Sequence, residues 1–210
     1  MKRLMLTAMT ITLFAGLAPR SWSKGDPAKG KTNFQICMAC HGLNGEGNKA
    51  LNVPVNGGQM ESYILRQLKN FRAGIRGVDQ KDLYGMQMRP MAMALADDQA
   101  VEDVAAYVAS LTPAHPPATV EGDAAKGKEK YLYCFGCHGE KGEGSELFAS
   151  PKLAGQHDWF IVRQLTHFKD GVRGGKPEDA HGAAMALVTK TLLNEEDIKN
   201  LAAYIATLKR

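Results

Sequence analysis

Apolar residues recur along this chain at helical spacing, in short blocks separated by glycine-rich polar stretches. Ile64, Leu68 and Phe71 fall at i, i+4 and i+7, the stripe of a helix that buries one face, and Val101, Val104, Val108 and Leu111 form a second stripe. Both return further along, as Ile161, Leu165 and Phe168 and as Ile198, Leu201, Ile205 and Leu208. Asp26 and Asp123 stand as N-caps of an opening helix in each block, with Pro27 at the first helical position of the first copy. Asp97, Asp98 and Asn194, Glu195, Glu196 precede the last stripes, where capping and acidic side chains favour a helix start. No run of β-branched alternation is found, so the pattern predicts an all-α chain of short helices joined by glycine-rich loops.

The stripes repeat because the chain does. Cys37 and Cys134 are 97 positions apart, and the same shift lays Asp26, Gly30 and Lys31 on Asp123, Gly127 and Lys128. It also lays Gly42, Gly45, Glu46 and Gly47 on Gly139, Gly142, Glu143 and Gly144, and Pro54, Gly58 and Gln59 on Pro151, Gly155 and Gln156. Arg66-Gln67-Leu68 meets Arg163-Gln164-Leu165, and Ala105-Ala106-Tyr107 meets Ala202-Ala203-Tyr204. One fold, duplicated without net insertion, therefore fills residues 24–112 and again 121–210. Pro113, Pro116 and Pro117 make residues 113–120 an extended, stiff linker, in which His115 is a bystander. At the N-terminus, Lys2 and Arg3 precede an apolar run from Leu4 to Ala18 and then Ser21-Trp22-Ser23, the form of a secretory signal over residues 1–23. The run is short for a membrane span and no second one follows it.

Two copies of Cys-x-x-Cys-His carry the chemistry: Cys37, Cys40, His41 and Cys134, Cys137, His138. Two thiols one helical turn apart can add across the vinyl groups of a haem while the adjacent imidazole takes the iron, which predicts two covalently bound haem c groups. A redox dithiol would need a βαβ setting, which the pattern lacks. A zinc site would not need a histidine directly after each second cysteine. These motifs use all four cysteines, as export to an oxidising compartment would favour.

An iron held by one histidine needs a second protein ligand for electron transfer, or an open site for chemistry. The first half offers Met86, Met88, Met91 and Met93, whereas the second offers only Met185. The repeat pairs Met185 with Met88, and each lies 19 residues before the tyrosine of the last helix. Core packing is the competing role for either methionine. His181 is the rival in the second half, but its counterpart is Tyr84; His157 and His167 face Met60 and Asn70. The carbonyls of Pro54 and Pro151 are the candidates to accept from the other nitrogen of His41 and His138. Arg66 and Arg163 could pair with haem propionates or simply face solvent.

The formal charge of +4 overstates the exported protein: without Lys2, Arg3 and Arg20, 23 Lys and Arg face 22 Asp and Glu. Four haem propionates would make it neutral to slightly acidic, which argues against a nucleic-acid partner.

The two Cys-x-x-Cys-His motifs, the Pro54 to Gln59 and Pro151 to Gln156 segments, the Arg-Gln-Leu helices and the terminal Ala-Ala-Tyr helices closely resemble the dihaem cytochrome c4 family over essentially the whole exported chain. Each half is similar to a class I cytochrome c domain, in which the first and last helices cross near a glycine and aromatics, here Gly30, Phe34 and Tyr107 and then Gly127, Tyr131 and Tyr204. The resemblance implies a periplasmic electron carrier, not an enzyme, passing electrons from a quinol-oxidising membrane complex to a terminal oxidase or reductase, with peripheral membrane association. An alternative expectation is the cytochrome subunit of a sulfide- or thiosulfate-oxidising dehydrogenase; a dihaem peroxidase, which needs one open iron site and normally a larger chain, ranks last.

Overall fold

Where a helix must cross another at close range the chain places glycine, and each half is built around one such crossing. The computed structural model describes residues 25–209, so the signal expected over 1–23 lies outside the described residues. The first half runs α1 (Pro27–Asn33), α2 (Gln35–His41), α3 (Glu61–Arg72), α4 (Leu83–Met93) and α5 (Asp98–Ser110). The second runs α6 (Ala124–Tyr131), α7 (Phe135–His138), α8 (Asp158–Lys169), α9 (Ala180–Leu192) and α10 (Glu195–Thr207). Among the described residues the only β pairing is one isolated bridge per half, Asn48 with Val53 and Ser145 with Ser150, which pins the loop after each histidine.

Helices α1 and α5 meet at Gly30, where a Cβ would stand 1.9 Å from the Asp103 carbonyl oxygen. At Gly127, between α6 and α10, a Cβ would stand 2.0 Å from the Asn200 carbonyl oxygen. Beside each crossing an aromatic pair closes the core, Phe34 with Tyr107 at 5.5 Å between ring centres and Tyr131 with Tyr204 at 5.3 Å. The expected stripes face inward: Ile64, Leu68 and Phe71 pack with Val101, Val104 and Val108, while Ile161 packs with Ile198, Leu201 and Ile205. Asp26 and Asp123 cap α1 and α6 as expected, and Asn194 forms a reciprocal capping box with Asp197 on α10.

Each half holds two helices more than the pattern predicted, because the opening helix breaks after Asn33 or Tyr131, before the cysteine motif, and α4 or α9 is added. Helices α4 and α9 carry the candidate methionines and have no clean apolar stripe, and α4 contains Pro90. Their start is set by polar chemistry: the Asp82 and Asp179 side chains accept from Gly85 N–H and Gly182 N–H, both at 3.0 Å.

Residues 112–119 form no regular structure. The far end of this connector is held by Asp158, which accepts from Thr119 N–H, from Thr119 Oγ1 (2.8 Å) and from Val120 N–H (2.7 Å).

The halves meet through exchanged hydrogen bonds. The Gln59 carboxamide donates to the Lys152 carbonyl (2.9 Å) and accepts from Lys152 N–H (2.8 Å). Gln156 does the same to Val55, the residue equivalent to Lys152, at 2.8 and 2.9 Å. Arg66 donates to the Ala149 carbonyl (2.7 Å) and Arg163 to the Asn52 carbonyl (2.9 Å). Asn52 and Ala149 are themselves equivalent, and both adopt positive φ, +58° and +48°. The boundary is thus a pseudo-twofold in which each half supplies what the other requires.

Candidate haem sites

The first Cys-x-x-Cys-His motif lies on α2 and the second runs from the N-cap of α7, Cys134, along that helix, and each helix ends at its histidine. The following glycine, Gly42 or Gly139, turns the chain at φ +79° or +83°. A side chain there would strike the carboxylate of Glu46 or Glu143, which accepts from Asn44 N–H (2.8 Å) or Lys141 N–H (2.7 Å). The Gly-x-x-x-Glu spacing seen in both copies is therefore one turn. It leaves His41 and His138 buried, their carbonyls accepting from Gly47 N–H (2.9 Å) and Gly144 N–H (2.7 Å).

Cys37 and Cys134 are half-buried against their cores, and Cys40 and Cys137 are exposed. Burial, with the neighbouring thiol adding to it, pushes Cys37 and Cys134 up to about 11. Burial drives the two imidazoles the other way. It lowers His41 to about 4 against the opposing pull of the Pro54 carbonyl, and it lowers His138 against that of Pro151. Both rings are neutral at pH 7, the form that binds a metal. His138 Nδ1 lies 2.9 Å from the Pro151 carbonyl, the expected partner, whereas His41 Nδ1 has in addition the Asn56 carboxamide at 2.8 Å. Asn56 is a residue that the sequence reading passed over.

Among the four methionines of α4, Met88 alone packs against the first core; Met86, Met91 and Met93 are exposed. Met185 is half-buried on α9, and its carbonyl accepts from Thr189 Oγ1 (2.9 Å). His181 is exposed, as is His115. His157 stacks on Trp159, and His167 points at Asp82 across the boundary (3.7 Å). Arg66 and Arg163 lie half-buried on the boundary and not on a solvated helix face.

Deeper in the boundary lie Arg76 and Arg173, unforeseen from the sequence. Arg76 donates to Gln67 (2.6 Å), and Arg173 donates to Gln164 and, across the boundary, to Gln67 (3.1 Å). Their guanidinium groups lie over Phe71 and Phe168 at 4.4 and 4.3 Å. Burial, with Arg173 alongside, pulls Arg76 down to about 9. Equivalence across the repeat, Arg76 with Arg173 and Gln67 with Gln164, was the signal that could have found them.

This donor set fits a haem. Nε of Arg66, Arg76, Arg89 and Arg173 is buried with no hydrogen-bond partner, while the carboxylates acting on Arg76 are Asp82 and Asp179. Buried guanidinium in such excess calls for anions, which haem propionates supply. Among the described residues, no three His, Cys, Asp or Glu side chains cluster to hold a lone metal ion.

Two helical units, each with a thiol pair and a buried neutral imidazole on one turn, define a tandem c-type cytochrome. The sequence model of the cytochrome c family matches twice, over residues 27–112 and 124–209. Cytochrome c4 of Stutzerimonas stutzeri is 34% identical over 216 residues, covering 97% of this chain and 98% of its own. The crystal structure of reduced recombinant cytochrome c4 from Pseudomonas stutzeri overlays with a TM-score of 0.67 at 31% identity, over 88% of this chain and 99% of that one. A thiosulfate dehydrogenase electron acceptor of Thiomonas intermedia is 33% identical over 189 residues, 84% of this chain and 80% of its own. The chain belongs to the cytochrome c4 family, and its cofactors are two covalently bound haem c groups.

Proposed function

We propose that the protein is a periplasmic single-electron carrier with one His/Met-ligated haem in each domain, residues 24–112 and 121–210, joined by the 113–120 linker and exported by a signal over residues 1–23. Cys37 and Cys40 would tether the first haem, with His41 and Met88 as its iron ligands; Cys134, Cys137, His138 and Met185 would hold the second. The bound groups supply reversible one-electron exchange at iron. The residues do the rest. His41 and His138 are kept neutral by burial and oriented through Nδ1. The methionine thioethers, soft donors that favour the ferrous state, would raise the potential and leave no place for a substrate at the iron. Arg76 and Arg173 offer their unpartnered Nε–H to haem carboxylates.

The observation that carries this reading is the recurrence of every site element at one constant spacing, with Met88 the methionine of α4 that the core receives. Partners fitting a high-potential carrier are a quinol-oxidising complex as donor and a terminal oxidase or reductase as acceptor, reached in solution or at the membrane surface. Among the described residues no helix is long and apolar enough to cross a membrane. The test is the methionine-to-ferric-iron charge-transfer band. Met88→Ala removes one half of it and Met185→Ala the other; a band untouched by either change overturns the ligand assignment.

A second reading, a dedicated acceptor for a sulfur-compound dehydrogenase, has the likeness to the Thiomonas intermedia protein in its favour. Rapid reduction by a thiosulfate-oxidising enzyme, and not by a quinol-oxidising complex, would select it.

A further inference from the structure

The loops behind the two buried imidazoles share one backbone. Asn56 N–H and Gly57 N–H donate to the Gly45 carbonyl at 2.7 and 3.0 Å; Leu153 N–H and Ala154 N–H donate to the Gly142 carbonyl at 2.8 and 3.1 Å. Into this common frame the first half puts a carboxamide, 2.8 Å from His41 Nδ1, where the second puts Leu153, which packs against the core. His138 thus has one acceptor behind it, the Pro151 carbonyl, and His41 has a polar side chain besides the Pro54 carbonyl. Both rings are buried, so water does not level the difference.

We propose that Asn56 is a positioning residue that sets the first haem's reduction potential apart from the second's through the Nδ1 hydrogen bond of His41. This rests on the His/Met reading given above. An imidazole that gives Nε2 to iron carries its proton on Nδ1, so the group facing it must accept. The structure sets the Asn56 amide nitrogen Nδ2 2.8 Å from His41 Nδ1, and since the oxygen and nitrogen of the amide exchange places by a simple flip, the same position presents the oxygen as acceptor. Two acceptors draw more strongly on the N–H than one, make the ring a more basic ligand and stabilise ferric over ferrous iron. The carboxamide therefore draws the first haem's potential down, and Leu153 leaves the second undisturbed.

The test uses the dihaem protein in spectroelectrochemical titration, with the charge-transfer band recorded in each variant. Asn56→Leu raises the first haem's midpoint, changing its ferrous-to-ferric ratio at fixed applied potential by roughly fivefold, the scale of one modest hydrogen bond. Leu153→Asn lowers the second haem's midpoint, and carries the test should Asn56→Leu not fold. The band stays intact in both variants, and the shifts are the same at pH 6 and pH 8. Unchanged midpoints with an intact band, or shifts of opposite sign, overturn the role of Asn56 and leave His/Met ligation standing. Absence of the band in the unmutated protein instead overturns the ligation on which the proposal rests.

Discussion

The halves agree wherever the fold or the haem demands it and part company at single side chains beside an imidazole, at the boundary and at the linker. Glycine at the helix crossing, the turn closed by Glu46 or Glu143, and the exchanged glutamines are the same in both. Asn56 stands against Leu153, Asn70 against His167 and Glu61 against Asp158. Backbone contacts tolerate no substitute and are duplicated, whereas side chains beside an imidazole or a linker can differ without moving the chain. Duplication thus supplies two equal scaffolds, and a few polar exchanges make their environments unequal.

The largest effect should fall on what is equal. Gly30→Val and Gly127→Val each force a side chain into a backbone carbonyl about 2 Å away. Either change should cost more than about 4 kcal/mol, beyond ordinary overpacking. Thermal unfolding followed at the haem bands should show similar damage from both, and a mild effect from one alone would break the equivalence.

Next come the exchanged carboxamides. Gln59→Leu removes two hydrogen bonds to the Lys152 backbone, and Gln156→Leu removes two to the Val55 backbone. Each should cost about 2 kcal/mol. Calorimetry of the double variant should resolve two domain transitions where the unmutated protein gives one, which measures how far the halves stand alone.

Acid should act more gently, through Asp158 of the second half. Burial pushes its carboxyl up, but the bonds from Thr119, Val120 and Trp159 together bring it below its ordinary value. Its contribution is present above about pH 3.9 and lost as pH falls through the folded value. Asp158→Asn should therefore loosen the linker at neutral pH, seen as faster proteolysis between residues 112 and 120, with the difference vanishing in strong acid.

The smallest effect belongs to His167→Asn, which installs the first half's residue. Burial lowers His167, Asp82 opposes this, and Arg163, Arg173 and Arg76 reinforce it. A ring that resists charging while folded is a liability as pH falls below its ordinary value. The variant should change stability by under about 0.5 kcal/mol at pH 7 and reduce the loss at pH 5, measured by urea unfolding.

How much of this was legible depended on which force wrote it. The stripes at Ile64 and Val101 and the caps at Asp26 and Asn194 were readable because burial and capping leave periodic, local marks. Helices α4 and α9 were not. They carry no clean apolar stripe, and their starts are fixed by Asp82 and Asp179, a polar contact that leaves no periodic mark. The glutamine exchange was visible only as repetition, since nothing in Gln59 says that its partner lies 93 residues away. Asn56 left a fainter mark still, one difference within an otherwise matching loop. On α4, Met88 packs against the first core while its three neighbouring methionines remain exposed.

The central claim is that both irons are covalently tethered and closed on both sides by protein. Pyridine haemochrome quantitation with carbon monoxide titration of the reduced protein tests it most directly. Two haem c per chain and no spectral change with carbon monoxide at pH 7 is the result this account predicts. A single haem, or one that binds carbon monoxide readily, would contradict it.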